Sequence, residues 1–139
     1  MSLTYTFDIV VVGAGHELAG RERISPQELA SHAFIGGLQG SHFARMVESV
    51  LRNMGVRDPR FILWMQDATA LKAVARGGLG VLCTPMCNVE DDLRSGALRM
   101  LSATVRPQPL QIRMALRPPP QVSGAAQRFA QYLRAAQLL

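Results

Sequence analysis

Short β-rich apolar runs alternate along this chain with stretches whose apolar residues recur at helical spacing, and that alternation constrains the fold more than any other feature. Ile9 to Val12 predicts a buried strand, Pro26 after Ser25 opens a short helix to about Ser31, and "HAFIGG" predicts a second strand. Ser41 is a good N-cap for a helix in which Phe43, Met46, Val47, Val50, Leu51 and Met54 share one face and Gly55 supplies the stop. "RFILWM" predicts a third strand, Asp67 caps a helix through Leu71, Val74 and Ala75 that ends at Gly77 and Gly78, and "LGVLCTP" predicts a fourth strand. A short helix near Val89 to Arg94 stops at Gly96. "PLQIRMALR" alternates Leu110, Ile112, Met114 and Leu116, and Ser123 caps a last helix, Gly124 to Gln137, turning Ala126, Phe129, Leu133 and Ala136 to the core. The pattern predicts an α/β fold with a mostly parallel sheet flanked by helices, whose ligands sit beyond the carboxyl ends of the strands.

Composition narrows the function classes. With 139 residues the chain fits one domain, and 48% hydrophobic against 18% charged residues excludes wholesale disorder. No apolar run reaches the roughly 18 residues of a membrane span, and "MSLTYTF" lacks the marks of a signal peptide, so a soluble, cytoplasmic protein with no membrane partner is expected. "MSL", residues 1–3, reads as a cloning remnant. The net charge of +5 comes from 14 scattered arginines and one lysine, which read as a solvated surface instead of a nucleic-acid patch. Two cysteines and three dispersed histidines give no disulfide framework and no zinc spacing, so neither metal nor cofactor is expected.

"DIVVVGAGHELAG", Asp8 to Gly20, has the first two glycines of a dinucleotide loop. Leu18 stands where the third glycine is needed, and "RERISP" puts charges and a proline where the phosphate-binding helix should run on. No ribose-binding acid ends a second long strand, so the stretch does not fit a dinucleotide-binding loop.

A second set of motifs accounts for the same letters. "HELAGRERISPQELASHAFI", "GSHFARMVESVLRNMGV", "LKAVARGGLGVLCTP", "DDLRSGALRML" and "QIRMALRPPPQVSGAAQRFAQYL" resemble, in order, five segments of the effector-binding domain of LysR-type transcriptional regulators. Glu17 departs from that family's usual proline. The resemblance implies a periplasmic-binding-protein type 2-like fold, in which residues 4–15 are the crossover strand, 16–100 the second regulatory subdomain and 101–139 the return strand and helix of the first. It also implies a fragment without the family's N-terminal winged helix-turn-helix. DNA would then be contacted only through that absent domain, and the chain would form homo-oligomers. The alternative from another class is one lobe of a solute-binding protein for transport.

In that family small metabolites, frequently carboxylates, bind between the subdomains. The candidate effector residues are therefore Gly40, Ser41, His42 and Phe43, at the N-terminus of the strongest helix. Ser41 has an equally good reading as a plain helix cap. Thr69 is a second candidate beside Asp67, whose carboxylate caps its helix. Thr84 and Pro85, at the end of the fourth strand, are candidates for the cleft wall, although Pro85 also reads as a strand terminator. Trp64 reads as core or dimer interface, and Cys83 as a buried strand residue unless it forms a redox pair with Cys87. The acidic run Glu90, Asp91, Asp92 reads as a solvated face, and no nucleophile-base-orienter set supports catalysis.

Overall fold

A computed structural model of the chain describes residues 2–101 and 109–136, with side chains described for 8–101 and 114–136. The backbone forms two compact units, Met1–Thr6 with Pro109–Leu139, and Phe7–Gln108.

The larger unit is built on a five-stranded sheet in the order β3-β2-β4-β1-β5. Its strands are β1 (Ser2–Gly13, which begins in the smaller unit), β2 (Ala33–Gly37), β3 (Arg60–Met65), β4 (Val81–Pro85) and β5 (Leu98–Met100). β2 is parallel to β3 and β4, while β1 is antiparallel to β4 and β5. Four strands therefore point one way and β1 alone the other, which is the mostly parallel sheet that the alternation predicts. The helices are α1 (Pro26–Ala30), α2 (His42–Asn53), α3 (Ala68–Arg76) and α4 (Glu90–Ser95), with a 3-10 turn at Met86–Asn88.

Three of these helices, α1, α2 and α3, begin where the sequence places a cap, while α4 starts after Val89 without a side-chain cap. Ser25 Oγ accepts from Glu28 N, Ser41 Oγ from Ala44 N and Asp67 Oδ1 from Ala70 N, contacts typically worth about 1 kcal/mol each. Because β2 connects to β3 through α2, and β3 returns past β2 to β4 through α3, right-handed crossovers put the two helices on opposite faces of the sheet. Two apolar layers result. Val10, Val12, Phe34, Val81 and Cys83 pack against Val47 and Leu51 of α2, and Ile9, Val11, Ile35 and Leu82 pack against Leu71 and Ala75 of α3. Each fully buried side chain of this size contributes roughly 1.5–3 kcal/mol of transfer free energy. Strands buried on both faces need continuous apolar runs, which is why "IVVV" and "GVLC" do not alternate.

The smaller unit contains β6 (Pro109–Arg113), which pairs with β1, and α5 (Gly124–Ala135). Two expectations are corrected here. The strand ends at Arg113, so Met114 to Arg117 lie outside it; the side chains of Leu110 and Ile112 lie outside the described residues. On α5, Phe129 is 60% exposed and Ala136 is exposed, while Ala130 is buried. The inward stripe runs through Ala126, Ala130 and Leu133 at helical spacing, and Phe129 stands about 100° of turn away from Ala130.

Candidate functional site

The sheet has a topological switch point. From β2 the chain leaves toward β3, and from β4 it leaves in the other direction, toward β5. Connections that diverge in this way leave a crevice at the carboxyl ends of the two strands. A cleft of about 420 Å³ lies there, entirely within the larger unit. Gly37, Leu38, Ser41, His42 and Phe43 follow β2; Met65, Gln66 and Ala68 follow β3; Leu71 and Lys72 come from α3; Leu82, Thr84 and Asn88 from β4 and the turn after it.

Of the residues singled out in the sequence, Ser41, His42, Phe43 and Thr84 are brought together in this lining. Gly40, Thr69 and Pro85 are not part of it. Gly40 adopts the left-handed conformation, φ 78°, that lets the chain turn into α2, and its carbonyl accepts from Arg45 Nη1. Thr69 is exposed on α3, and Pro85 is buried in β4 opposite Asp8 of β1. Lys72, Gln66, Met65, Leu38, Leu71, Leu82 and Asn88 escaped sequence reasoning because cleft lining depends on which strand ends adjoin. The one available signal was that Lys72 is the sole lysine among fifteen basic residues.

At the N-terminus of α2 the Ser41 hydroxyl accepts from Ala44 N at 3.0 Å, and Arg45 N starts the helical ladder on Ser41 O. An α-helix leaves its first amides without intrahelical partners. Those of His42 and Phe43 stay available beside the cleft, and the Ser41 hydroxyl proton remains free to donate. On the β4 side, Thr84 is 4% exposed and its Oγ1 accepts from Asn88 Nδ2 at 3.3 Å.

The acidic run on α4 is a solvated face at two of its three residues only. Asp92 is 4% exposed, whereas Glu90 and Asp91 are exposed. Arg76 of α3 reaches Asp92 Oδ1 through both Nε and Nη2, and Lys72 Nζ lies 3.5 Å from Oδ2. Burial of this carboxylate is offset by two cations from the neighbouring helix, which a one-dimensional charge run does not reveal.

In β1, opposite Pro85, Asp8 is 4% exposed, its Oδ1 has no hydrogen-bond partner, and burial raises its pKa. Cys83 is buried too, and burial, with the Asp8 carboxylate adding to it, pushes its thiol far up, so it stays protonated. Cys83 is buried and Cys87 exposed, and among the described residues no thiolate-stabilising charge faces Cys83. Trp64 stacks on Phe61 at 4.4 Å, away from the cleft lining. Among the described residues no group of three or more His, Cys, Asp or Glu could hold a metal ion, and no helix is long and apolar enough to cross a membrane.

An α/β unit with a largely apolar cleft at the switch point of its sheet belongs to the class of small-molecule-binding domains. Residues 6–138 match the LysR substrate binding domain, and the chain belongs to that family. Its fold, periplasmic-binding-protein type 2-like, is shared with solved regulatory domains. The CcmR regulatory domain of Synechocystis PCC6803 in complex with 2-PG has a TM-score of 0.78 at 23% identity, over 99% of this chain and 65% of that one. The effector binding domain of QuiR in complex with shikimate gives 0.78 at 20% identity, over 99% and 64%. The regulatory domain of HypT from Salmonella typhimurium, apo form, gives 0.73 at 21% identity, over 99% and 64%. The chain thus spans less than two thirds of the length of each. Over 98 residues it is also 37% identical to the phosphonates import ATP-binding protein PhnC of Anaeromyxobacter dehalogenans, a match over 69% of this chain and 20% of that protein.

Proposed function

We propose that the chain is the small-molecule-sensing part of a LysR-type transcriptional regulator, and that the cleft between the ends of β2, β3 and β4 receives the effector. The observation that carries this reading is the convergence of Ser41, His42, Phe43 and Thr84 on one cleft at the switch point of a LysR substrate-binding fold. The bound group nearest α2 is an acceptor or anion, held by the amides of His42 and Phe43 and the Ser41 hydroxyl. Phe7–Gln108 corresponds to the second regulatory subdomain, and the unit of Met1–Thr6 and Pro109–Leu139 to part of the first. Gly40, Thr69 and Pro85 then support the site without touching the ligand. The role is binding in the cytoplasm, not catalysis, with self-association of the regulator and DNA contact through a separate domain. Membership in the regulatory family favours this reading over a transport lobe.

The test is a thermal-shift survey of central metabolites on this chain and on a Ser41→Glu variant. A ligand at a hundred times its Kd adds about 2.7 kcal/mol to stability, a rise of several degrees in Tm. We expect at least one metabolite to raise the Tm of the wild type and not of Ser41→Glu, whose carboxylate fills and repels. A metabolite that stabilises both equally would move the site elsewhere.

A further inference from the structure

At the edge of the sheet, β3 pairs with β2 out of regular register. Phe34 faces Phe61 but Ile35 faces Leu63, so Ile62 is an extra residue, and it is half-exposed. Strict alternation would send Phe61 and Trp64 to opposite faces of the strand. The extra residue brings them to the same face, where their rings stack at 4.4 Å and 25°. Gly36 of β2 makes room for the pair, since a β-carbon there would stand 2.7 Å from the Phe61 ring and 3.4 Å from the indole of Trp64. Phe61 also meets Phe34 of the core at 5.7 Å, so the pair is anchored from within.

Both rings line a second cavity, of about 700 Å³, that shares no residue with the cleft at the strand ends. Four charged side chains add to its wall: Glu48 and Arg52, one turn apart on α2, and Arg57 and Asp58 in the turn before β3. Among the described residues none of the four forms an ion pair. Their charges sum to zero, so the wall has no preference for an anion. It offers carboxylate acceptors and guanidinium donors beside an aromatic surface, with the Gln39 amide able to act either way. A hydrocarbon ring leaves those groups unused, and a simple carboxylate meets as many repelling charges as attracting ones. A nucleobase uses them all, because its face stacks on aromatic rings and its edge both donates and accepts.

We propose that this cavity is a second binding site, for a purine or pyrimidine nucleoside, whose base stacks on Trp64 and is hydrogen-bonded along its edge by the Glu48, Asp58, Arg52 and Arg57 side chains. The ligand is uncharged, and the site stands apart from the reading of the cleft.

Trp64 is the chain's only tryptophan, so its fluorescence reports on this cavity. Adenosine, inosine, cytidine and uridine are titrated into the chain, with benzoate and benzyl alcohol as rings without a two-sided edge. At least one nucleoside quenches the emission saturably, with a Kd about tenfold or more below that of either control, the scale of base stacking together with edge hydrogen bonds. Glu48→Ala and Asp58→Gly each weaken that binding about threefold to tenfold by calorimetry, the scale of one hydrogen bond. Glycine suits the left-handed backbone of Asp58, φ 52°, so that variant keeps the turn. Should Glu48→Ala not fold, Arg57→Met on the exposed turn takes its place. Quenching that rises linearly for every nucleoside is collisional and overturns the proposal. Saturable binding that the variants leave unchanged, or that the controls match, overturns it as well. A Trp64 emission that shifts with protein concentration alone puts a second copy of the chain in the cavity and has the same consequence.

Discussion

A β-carbon added to Gly13 would stand 2.8 Å from the carbonyl oxygen of Arg76, and closer still to that of Ala75. The end of β1 thus lies against the last carbonyls of α3, with room for a hydrogen only. Gly15, by contrast, has open space around it. Of the two glycines that mimic a phosphate loop, one is required by packing and the other by nothing steric. Gly13→Ala should cost about 3 kcal/mol or abolish folding, because backbone atoms cannot rotate aside as side chains do, and Gly15→Ala should cost less than about 1 kcal/mol. Urea unfolding of both variants checks this; comparable losses would refute it.

Asp92 is the next test. Asp92→Ala leaves Arg76 and Lys72 facing one another without the anion between them. Arg76 is half-exposed and partly screened, so the expected loss is about 2 kcal/mol, below that of a fully buried pair. Asp91→Ala, which removes an exposed ion pair with Arg94, should change stability by about 0.5 kcal/mol or less. Equal losses would mean that the burial of Asp92 has no energetic weight.

The cap of Ser41 and its proposed role as a ligand donor can be separated by two variants. Its cap on Ala44 predicts that Ser41→Ala lowers stability by about 1 kcal/mol, visible as a Tm lower by a few degrees without ligand. A donated hydroxyl predicts a further loss of effector affinity, and Ser41→Asp, which can cap but repels an anion, should keep the Tm and lose the affinity. Affinity unchanged in both variants would leave capping as the only role.

His16 supplies a pH dependence. Its Nδ1 accepts from Leu18 N, which protonation there would forbid, and His32 lies with its ring centroid 5.6 Å away. Burial lowers the His16 pKa first and His32 lowers it further, while Glu17 opposes both. A histidine whose folded pKa is depressed contributes stability that is complete above the unfolded value near 6.5 and lost as pH falls below it. Unfolding free energies measured from pH 7.5 to 5 should fall, and the fall should shrink in His16→Asn, whose amide oxygen can accept from Leu18 N. An unchanged slope in that variant would assign the pH dependence to other groups.

The local signals in the sequence were strong where one residue decides an outcome. β3 spans the six residues its apolar run marks, and α1, α2 and α3 start on Ser25, Ser41 and Asp67 as their cap chemistry dictates. β5 was not legible, because three residues carry no periodicity and form a strand only by pairing with Val11, Val12 and Gly13. The burial of Asp92 and the exposure of Phe129 were misread for a related reason: each depends on what another segment places beside it. Four of the thirteen residues lining the cleft, Ser41, His42, Phe43 and Thr84, were legible through the Gly-Ser turn before α2 and the end of β4. Gln66 and Lys72 reach it through the return of the chain past β2 by way of α3, which no local pattern records.

Leu71 and Leu82 belong at once to the cleft lining and to the apolar layer under α3. Reshaping the floor of the cleft is therefore the same act as repacking the interior. On the reading proposed for the cleft, a lineage that changes its effector by mutation there must also change how firmly the chain folds. Leu38 and Gln66 are exposed members of the same lining and share no such bond with the interior. Diversification of ligand preference should run along that rim first, with the floor held back by selection for a chain that still folds.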